Sequence, residues 1–304
     1  MKKILITGVV GFIGSCVAKR FIDEGFQVAG VDDLSSGKKE NIPKGLEFIE
    51  GDLSIDRTIK KLPANCKIIL HLAGQSSGEM SFEDPVADLR KNTISTLNLI
   101  RFGIENKVEK IVYASSMSVY GSVEEGPTAE TTICRPLSCY GVGKLTAERY
   151  LEIYSKQLPF ISLRMFNVYG PGQDMSNLKQ GMVSIFLEQA LKHKKIQVKG
   201  SLERYRDLIY ITDVVEFWYR ATLDERIKNQ IINIGTGIKT TVRNLLDEIC
   251  GLVAGADYYE DDPTPGDQNG IYADNSKILN LYGNYEFAPL RQGLHKFHEF
   301  CTSQ

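Results

Sequence analysis

The sequence of 304 residues predicts an α/β fold built on a doubly wound parallel sheet, with a smaller C-terminal part that binds substrate. Two observations predict this fold. In the first half of the chain, short apolar runs alternate with segments of helical periodicity, as in βαβ units. After about residue 167, a turn-rich cluster at 169–173 opens a region of isolated helices and short strands. Because crossovers between parallel strands are right-handed, the first half is predicted to form a sheet of the Rossmann type.

Five strands are predicted in the first half of the chain. Each is a short apolar run typical of a strand buried on both faces, and they cover residues 4–7, 28–31, 46–50, 68–72 and 110–115. Helical periodicity predicts helices over 14–24 and 92–106. We therefore expect a cofactor-binding domain over 1–168, rejoined by parts of about 205–235, and a mainly substrate-binding domain over 169–304.

Composition and charge narrow the range of functions. The formal net charge is −2, with 36 basic and 38 acidic side chains, so a nucleic-acid partner is not predicted. The six cysteines include no CxxC pair, and the four histidines include no HExxH, so neither disulfides nor a metal site are expected. No apolar run reaches the length of a membrane span, and the N-terminus does not resemble a signal peptide. We expect a cytoplasmic protein without a membrane partner.

The first motif with chemical meaning is a GxxGxxG pattern formed by Gly8, Gly11 and Gly14. It lies between the first predicted strand and the first predicted helix. Glycines there allow a tight turn and a close approach of the backbone to a pyrophosphate, which the helix N-terminus attracts. An ordinary glycine turn would use the same residues, but the position at the first strand–helix junction favours dinucleotide binding.

An acidic residue at the end of the second predicted strand points to the identity of the dinucleotide. Asp32 follows Gly14 by 18 residues, where a carboxylate can accept hydrogen bonds from the adenosine ribose. It would repel a 2′-phosphate, and no Arg or Lys immediately follows it, so NAD is favoured over NADP. The alternative is that Asp32 and Asp33 are solvated turn residues.

A YxxxK pattern supplies a candidate base. Tyr140 and Lys144 are four residues apart and would share one face of a helix. A free tyrosine has a pKa of about 10, so about 4 kcal/mol of stabilisation would be needed to lower it by about three units. A lysine ammonium and an oxidised nicotinamide both favour the phenolate. Ser116, at the end of the fifth predicted strand, could hydrogen-bond the reacting oxygen or could simply cap a turn.

These motifs belong to a longer ordered series. The series comprises GxxGxxG, 71–74 (HLAG), Asn92, 115–121 (SSMSVYG), YxxxK, 164–171 (RMFNVYGP), 206–210 (RDLIY), 233–237 (NIGTG) and 273–277 (ADNSK). Over nearly its whole length, the chain resembles the extended short-chain dehydrogenase/reductase family, in its branch of NAD-dependent nucleotide-sugar epimerases and dehydratases. The resemblance implies C4 epimerisation of a UDP-hexose or UDP-N-acetylhexosamine through a transient 4-keto sugar. It also implies a homodimer formed through a four-helix bundle, from helices that start near Pro85 and Tyr140.

The resemblance assigns three sets of residues. The catalytic set is Ser116, Tyr140 and Lys144. The NAD-binding set is Gly8, Gly11, Phe12, Ile13, Gly14, Asp32, Asp33, Ser36, Gly37, Asp52, Leu53, Leu72, Ala73, Gly74, Asn92, Tyr140, Lys144 and Phe166. The substrate-binding set is Ser76, Ser116, Asn167, Asn177, Arg206, Asp267 and Ile271.

Departures from the family pattern keep other functions open. Dehydratases carry an Asp–Glu pair where this chain has Met117 and Ser118, which places 4,6-dehydration second. Thr264 stands where an epimerase commonly has a phosphate-binding arginine. Arg206 could also be a surface residue paired with Asp207. A decarboxylase, a 4-ketosugar reductase and a nucleotide-sensing protein without catalysis remain alternatives, and the identity of the sugar is open.

Overall fold

The computed structural model of the chain describes residues 2–37, 39–177, 179, 181–262 and 269–303. Its strands are β1 Lys3–Thr7, β2 Gln27–Asp32, β3 Glu47–Glu50, β4 Ile68–His71, β5 Lys110–Ser116, β6 Phe160–Met165, β7 Asn167–Tyr169, β8 Lys195–Lys199, β9 Tyr205–Arg206, β10 Leu208–Tyr210, β11 Gln230–Ile234, β12 Thr240–Thr241, β13 Asp257–Asp261 and β14 Gly270–Ile271. Its α-helices are α1 Phe12–Asp23, α2 Asp56–Ile59, α3 Gly78–Glu83, α4 Pro85–Leu89, α5 Ser95–Glu105, α6 Cys139–Ile153, α7 Met182–His193, α8 Ile211–Leu223, α9 Val242–Leu252, α10 Ser276–Tyr282 and α11 Leu290–Thr302.

The chain divides into two compact units. The first unit comprises residues 1–119, 138–164 and 215–232, and the second comprises 120–137, 165–214 and 233–304. That the first carries the cofactor and the second the substrate remains a prediction. Within the described ranges, no helix has both the length and the apolar character that a membrane crossing requires.

A seven-stranded sheet, in the order β11-β6-β5-β4-β1-β2-β3, organises the first unit. β1 lies at the centre and pairs in parallel with both β2 and β4. The chain runs outward from β1 to β3 and then returns to β4 on the other side, so strand order reverses between β1 and β4. Such a reversal creates the crevice in which open α/β sheets bind ligands. The predicted α/β fold with a doubly wound parallel sheet is confirmed.

The five predicted strands agree with β1 to β5 to within one residue at each end. The helix predicted over 92–106 begins earlier than its apolar periodicity indicates, at Pro85, near the start that the family resemblance implies. Pro85 opens α4, and a π-helical turn at Arg90–Ile94 joins α4 to α5. The apolar periodicity missed this start because the wider π-turn shifts the buried face of the helix.

The second unit contains small sheets. β10 pairs with β7, β13 pairs with β8, and β9 lies between β12 and β14. Asp207, in the short link between β9 and β10, is fully buried, and its carboxylate accepts hydrogen bonds from the backbone of Thr236, Gly237 and Ala273 at 2.8, 2.9 and 3.1 Å. A single carboxylate therefore holds three backbone segments of this unit together.

A buried ion pair fixes α6 to the large sheet. The Arg164 guanidinium on β6 meets both carboxylate oxygens of Glu148 on α6, at 3.0 and 2.7 Å. Ser162 donates a third hydrogen bond to the same carboxylate at 2.9 Å. The side chains of Arg164 and Glu148 are 1% and 0% exposed. Bidentate geometry and full hydrogen bonding are the conditions under which a buried ion pair is tolerated.

We expect Glu148→Gln to lower the free energy of unfolding by about 3–5 kcal/mol, because it leaves the Arg164 guanidinium buried without a counter-charge. Urea denaturation measures the change. The matched control is Glu152→Gln, which breaks an exposed pair with Arg149 on the same helix and should cost less than about 1 kcal/mol. Equal losses in the two variants would contradict the importance of the buried pair.

Candidate active site

The glycine turn after β1 is shaped by close backbone contacts. Gly8 has φ +66°, and a Cβ atom there would lie 2.7 Å from the backbone nitrogen of Ala73. A Cβ atom on Gly14 would overlap the carbonyl of Gly8. Gly11 is the N-cap of α1 and has no side chain with which to cap that helix. The first N–H groups of α1 are therefore available to an anion, as a pyrophosphate site requires.

The acidic residues after β2 are tied into this turn. Asp32 accepts hydrogen bonds from the backbone of Val10 and Leu34, at 3.1 and 2.9 Å, and burial raises its pKa. Asp33 forms an ion pair with Lys91 at 3.1 Å. Burial alone would raise the pKa of Asp33, but hydrogen bonds from Ser35 and Lys91 lower it. Sequence reasoning missed Lys91, which is 58 residues away and reaches Asp33 only through the fold.

Most of the other predicted NAD-binding residues lie in the same region of the first unit. Phe12 and Ile13 open α1. The others follow the C-terminal ends of β2, β3 and β4, which form one edge of the sheet because β1 to β4 pair in parallel; they are Ser36, Gly37, Asp52, Leu53, Leu72, Ala73 and Gly74. Phe166 belongs instead to the second unit, where its backbone N–H donates to the carbonyl of Ile234 at 3.0 Å.

His71, buried at the end of β4, links the loop after β4 to α5 and to the π-turn that precedes it. Its Nδ1 lies 2.8 Å from the Thr7 hydroxyl, which accepts from the backbone N–H of Ala73 at 3.0 Å. Its Nε2 lies 3.0 Å from the Thr96 hydroxyl, which donates to the carbonyl of Asn92 at 2.7 Å. Burial lowers the pKa of His71 to about 3, so the ring is neutral. Full hydrogen bonding then requires the proton on Nε2.

The first unit places Tyr140 close to both Ser116 and Lys144. Ser138 caps α6 by accepting from the N–H of Gly141 at 3.1 Å, so the helix begins just before Tyr140. Lys144 Nζ donates to the carbonyl of Ala114 at 2.9 Å and lies 5.7 Å from the centre of the Tyr140 ring.

The predicted catalytic serine, Ser116, lies in a small network of hydroxyl groups. Ser116 Oγ donates to Ser118 Oγ at 3.1 Å and accepts from the backbone N–H of Ser118 at 3.1 Å. A hydrogen bond with Ser116 also acts to lower the pKa of Tyr140. The hydroxyl of Ser118 therefore occupies the place beside Ser116 where the dehydratase pattern would have a carboxylate.

The electrostatics of the site differ from the expectation based on a free tyrosine. Burial raises the pKa of Tyr140 to about 12. Burial lowers the pKa of Lys144 to about 8, although the carboxylates of Asp88 and Glu148 oppose this change. Five pH units separate a pKa of about 12 from pH 7, which corresponds to about 7 kcal/mol at 1.36 kcal/mol per unit. Added positive charge, as from an oxidised nicotinamide, is thus needed to form the phenolate.

In the second unit, Arg206 on β9 is buried, not a surface residue. The Asp207 carboxylate accepts hydrogen bonds from three backbone N–H groups, and the Arg206 guanidinium donates to the carbonyl of Tyr205 at 2.8 Å. Burial lowers the pKa of Arg206 to about 10. Both the backbone N–H and the side-chain amide of Asn167 donate to the carbonyl of Asp207, at 3.1 and 3.2 Å.

The other predicted substrate residues are dispersed. Ile271 is fully buried on β14, in register with Arg206 on β9. Asn177 lies in a local turn, with its backbone N–H donating to the carbonyl of Asp174 at 3.2 Å. Ser76 is exposed in the loop after β4. Asp267 and Thr264 lie outside the described residues.

Comparison with known proteins identifies relatives along the whole chain. A family model described as "NAD dependent epimerase/dehydratase family" matches residues 4–235. A UDP-glucose 4-epimerase of Mycolicibacterium smegmatis is 35% identical to this chain, and the match covers 99% of this chain and 98% of the relative. The crystal structure of a Thermotoga maritima UDP-glucose 4-epimerase with UDP-glucose has a TM-score of 0.93 at 34% identity, covering 99% of both chains. A Thermus thermophilus UDP-glucose 4-epimerase complex with NAD has a TM-score of 0.91 at 32% identity, covering 98% of both.

We expect Gly14→Ala to weaken NAD binding by at least about tenfold, because the new methyl group pushes the Gly8 carbonyl and the helix N-terminus out of place. Isothermal titration calorimetry with NAD measures the affinity. Gly251→Ala is the matched control: it is also a helical glycine, and a Cβ atom there has nothing within 4 Å. Wild-type affinity in Gly14→Ala would show that this turn does not hold the pyrophosphate.

Proposed function

Because the chain belongs to the NAD-dependent epimerase/dehydratase family, we propose that it catalyses the C4 epimerisation of a UDP-hexose. The observation that carries this proposal is the arrangement around Tyr140. Ser116 and Lys144 lie near the phenol of Tyr140. Met117 and Ser118 provide no carboxylate for the elimination of water. The names of the relatives at 32–35% identity support the same reaction.

The residues of the first unit fit NAD, and their roles follow from their chemistry. The glycine turn and the N-terminus of α1 would hold the pyrophosphate, and Asp32 the ribose. NAD supplies a reversible hydride acceptor. Tyr140, as the phenolate, takes the proton of the C4 hydroxyl, and Lys144 stabilises the phenolate.

As the proton leaves, the Ser116 hydroxyl turns from Ser118 to the C4 oxygen and stabilises the charge that develops there. The sugar must then present its other face. The 4-keto sugar rotates while its nucleotide stays bound, and Tyr140 returns the proton to the C4 oxygen after the opposite face has been reduced. The protein ends the cycle with the cofactor in its original oxidation state.

The second unit would bind the diphosphate. A guanidinium taken out of water favours a bound anion, since the pair is then stronger than in solvent. Arg206 meets this condition because it is buried. Asn167 donates two hydrogen bonds to the carbonyl of Asp207, the residue that follows Arg206. We infer that both residues contact the diphosphate. Ile271, a buried aliphatic residue paired with Arg206, would leave room for an N-acetyl group on the sugar.

A homodimer is proposed from the surface of the first unit. Large apolar side chains are exposed on α3, α4 and α6: Met80, Phe82, Val86, Leu89 and Val142. Exposed apolar residues grouped on neighbouring helices are typical of an interface between subunits. We propose that the continuous helix formed by α4, the π-turn and α5 packs with α6 and with the same two helices of a second copy in a four-helix bundle, and that the protein acts in the cytoplasm.

The reaction is tested by incubating the purified protein with UDP-, GDP- and dTDP-hexoses and no added cofactor. NMR and mass spectrometry should reveal a product of unchanged mass and inverted C4 from a UDP-sugar. A product lighter by one water would identify a dehydratase. Conversion only of a 4-keto sugar with added NADH or NADPH would identify a reductase. Equal rates with UDP-glucose and UDP-N-acetylglucosamine would count against the role given to Ile271.

Two substitutions should separate chemistry from binding. Tyr140→Phe should lower kcat about 10³-fold with little change in the affinity for the UDP-sugar, because only the base is lost. Arg206→Met should weaken binding of the UDP-sugar about 10–100-fold, because a charged hydrogen bond to the diphosphate is lost. Steady-state kinetics and calorimetry measure both. Unchanged binding in Arg206→Met would exclude its diphosphate contact. Retained binding of the UDP-sugar in Tyr140→Phe, together with no turnover in the wild type, would favour a nucleotide sensor.

For the oligomer, we expect the wild type to sediment as a dimer and Val86→Glu to sediment as a monomer, because a charge on the exposed face of α4 opposes burial. Ile133→Glu replaces an exposed apolar residue of the second unit and should leave the dimer intact. A monomeric wild type would disprove the bundle.

A further inference from the structure

A buried carboxylate beside the candidate base has no role in the mechanism above. Asp88, on α4, is 2% exposed. Its Oδ1 accepts a hydrogen bond from the side-chain amide of Asn92 at 3.0 Å. Within the described part of the chain, Asp88 forms no ion pair within 4.0 Å. A carboxylate with one hydrogen bond is poorly compensated for its loss of water, so its burial calls for a physical explanation.

The packing of α6 brings Asp88 close to the catalytic helix. Gly143 lies directly before Lys144, and a Cβ atom there would be 3.3 Å from Asp88 Oδ2. The absence of a side chain at this position lets the carboxylate approach the backbone of α6. Asp88 therefore lies against the turn of α6 that joins Tyr140 to Lys144.

The charges around Lys144 show which group balances its ammonium. Lys144 is 4% exposed, and its Nζ lies 5.0 Å from the centre of the Tyr113 ring on β5. His71 on β4 is neutral, and Glu148 on α6 is already neutralised by Arg164 in the bidentate pair. Among the groups of α4, α6, β4 and β5 that act on Lys144, Asp88 is the carboxylate whose charge is not already matched.

The amide of Asn92 extends the influence of Asp88 to the loop after β4. Asn92 Nδ2 donates both to Asp88 and to the carbonyl of Gln75, each at 3.0 Å. This pairing fixes the side chain with Oδ1 turned the other way, toward Gly74. Oδ1 is buried and has no hydrogen-bond partner among the described residues. A carboxylate that accepts from the amide determines this orientation, because it cannot donate to Oδ1.

We propose that Asp88 is a positioning residue for the reaction: its carboxylate keeps Lys144 in the ammonium form beside Tyr140 and holds the amide of Asn92 in a fixed orientation. The role in catalysis rests on the proposed function, whereas the effect on the charge of Lys144 does not. Asp88 acts through Lys144 and Asn92, without contact to the sugar.

The direction of the effect follows from the charges. Burial lowers the pKa of Lys144, and Asp88 opposes this. Without the carboxylate, Lys144 loses its proton at a lower pH. Asp88 also raises the pKa of Tyr140, since two neighbouring anions repel each other. Its removal should therefore lower the pKa of both groups and move the acidic and alkaline limbs of the pH–activity profile to lower pH. As the pH rises, the Lys144 ammonium is the first of the two groups to lose its proton.

Asp88→Asn tests the proposal, because the amide oxygen can still accept from Asn92 while the charge is removed. The ionisation of Lys144 is followed by 13Cε NMR of the NAD-loaded protein, with its signal assigned by its loss in Lys144→Arg. We expect its midpoint to fall by about one pH unit. Asp84→Asn is the matched control: it removes an exposed charge from the same helix and keeps the N-cap, so the midpoint should not move.

An unchanged Lys144 midpoint in folded Asp88→Asn would overturn the proposal. If Asp88→Asn does not fold, Asp88→Ser is titrated in the same way, with the same expected shift and the same contradicting result. The pH profile of kcat/KM provides the catalytic readout, and its alkaline midpoint should fall with that of Lys144. Because the NMR titration needs no turnover, failure of the proposed reaction leaves this test intact and can be told apart from failure of the role of Asp88.

Discussion

The buried pair of Glu148 and Arg164 fastens α6 to β6, and the placement of the candidate base depends on it. Tyr140 lies about two turns and Lys144 about one turn before Glu148 on the same helix. A rotation of α6 that displaced them would separate two buried charges, at a cost of several kcal/mol. The bond from Lys144 to the carbonyl of Ala114 fixes the other end of this face against β5. These polar contacts fix the position of α6 against the sheet. Apolar packing alone would leave the helix free to slide.

Burial works against the charge states that the proposed reaction needs. It raises the pKa of Tyr140 and lowers the pKa of Lys144, so both groups favour their neutral forms. A positive charge brought by an oxidised cofactor would act on the phenol at short range and in low dielectric, where it is most effective. In the proposed reaction, the base would therefore form more readily with an oxidised cofactor bound than without one.

The sequence predicted those parts of the fold that depend on local pattern. β1, β2, β4 and β5 are mostly buried apolar runs, and the half-exposed β3 keeps two apolar residues at its centre, so the limits of all five could be read to within a residue. The glycine turn and the YxxxK pair follow from spacing in the same way. The ion pair of Lys91 with Asp33 and the burial of Arg206 depend on contacts between distant segments. The pKa of Tyr140 was also out of reach, because burial of a phenol is a property of the packed core.

The chain of hydrogen bonds through His71 has a single direction. It begins at the backbone N–H of Ala73, passes through Thr7, the neutral ring and Thr96, and ends at the carbonyl of Asn92. Both termini are peptide groups, which neither release nor accept a proton at physiological pH, so the chain acts as a brace and cannot conduct protons. The chain therefore offers a proton no route between the loop after β4 and Asn92. Such insulation suits a cycle in which the proton removed from a substrate is the one given back.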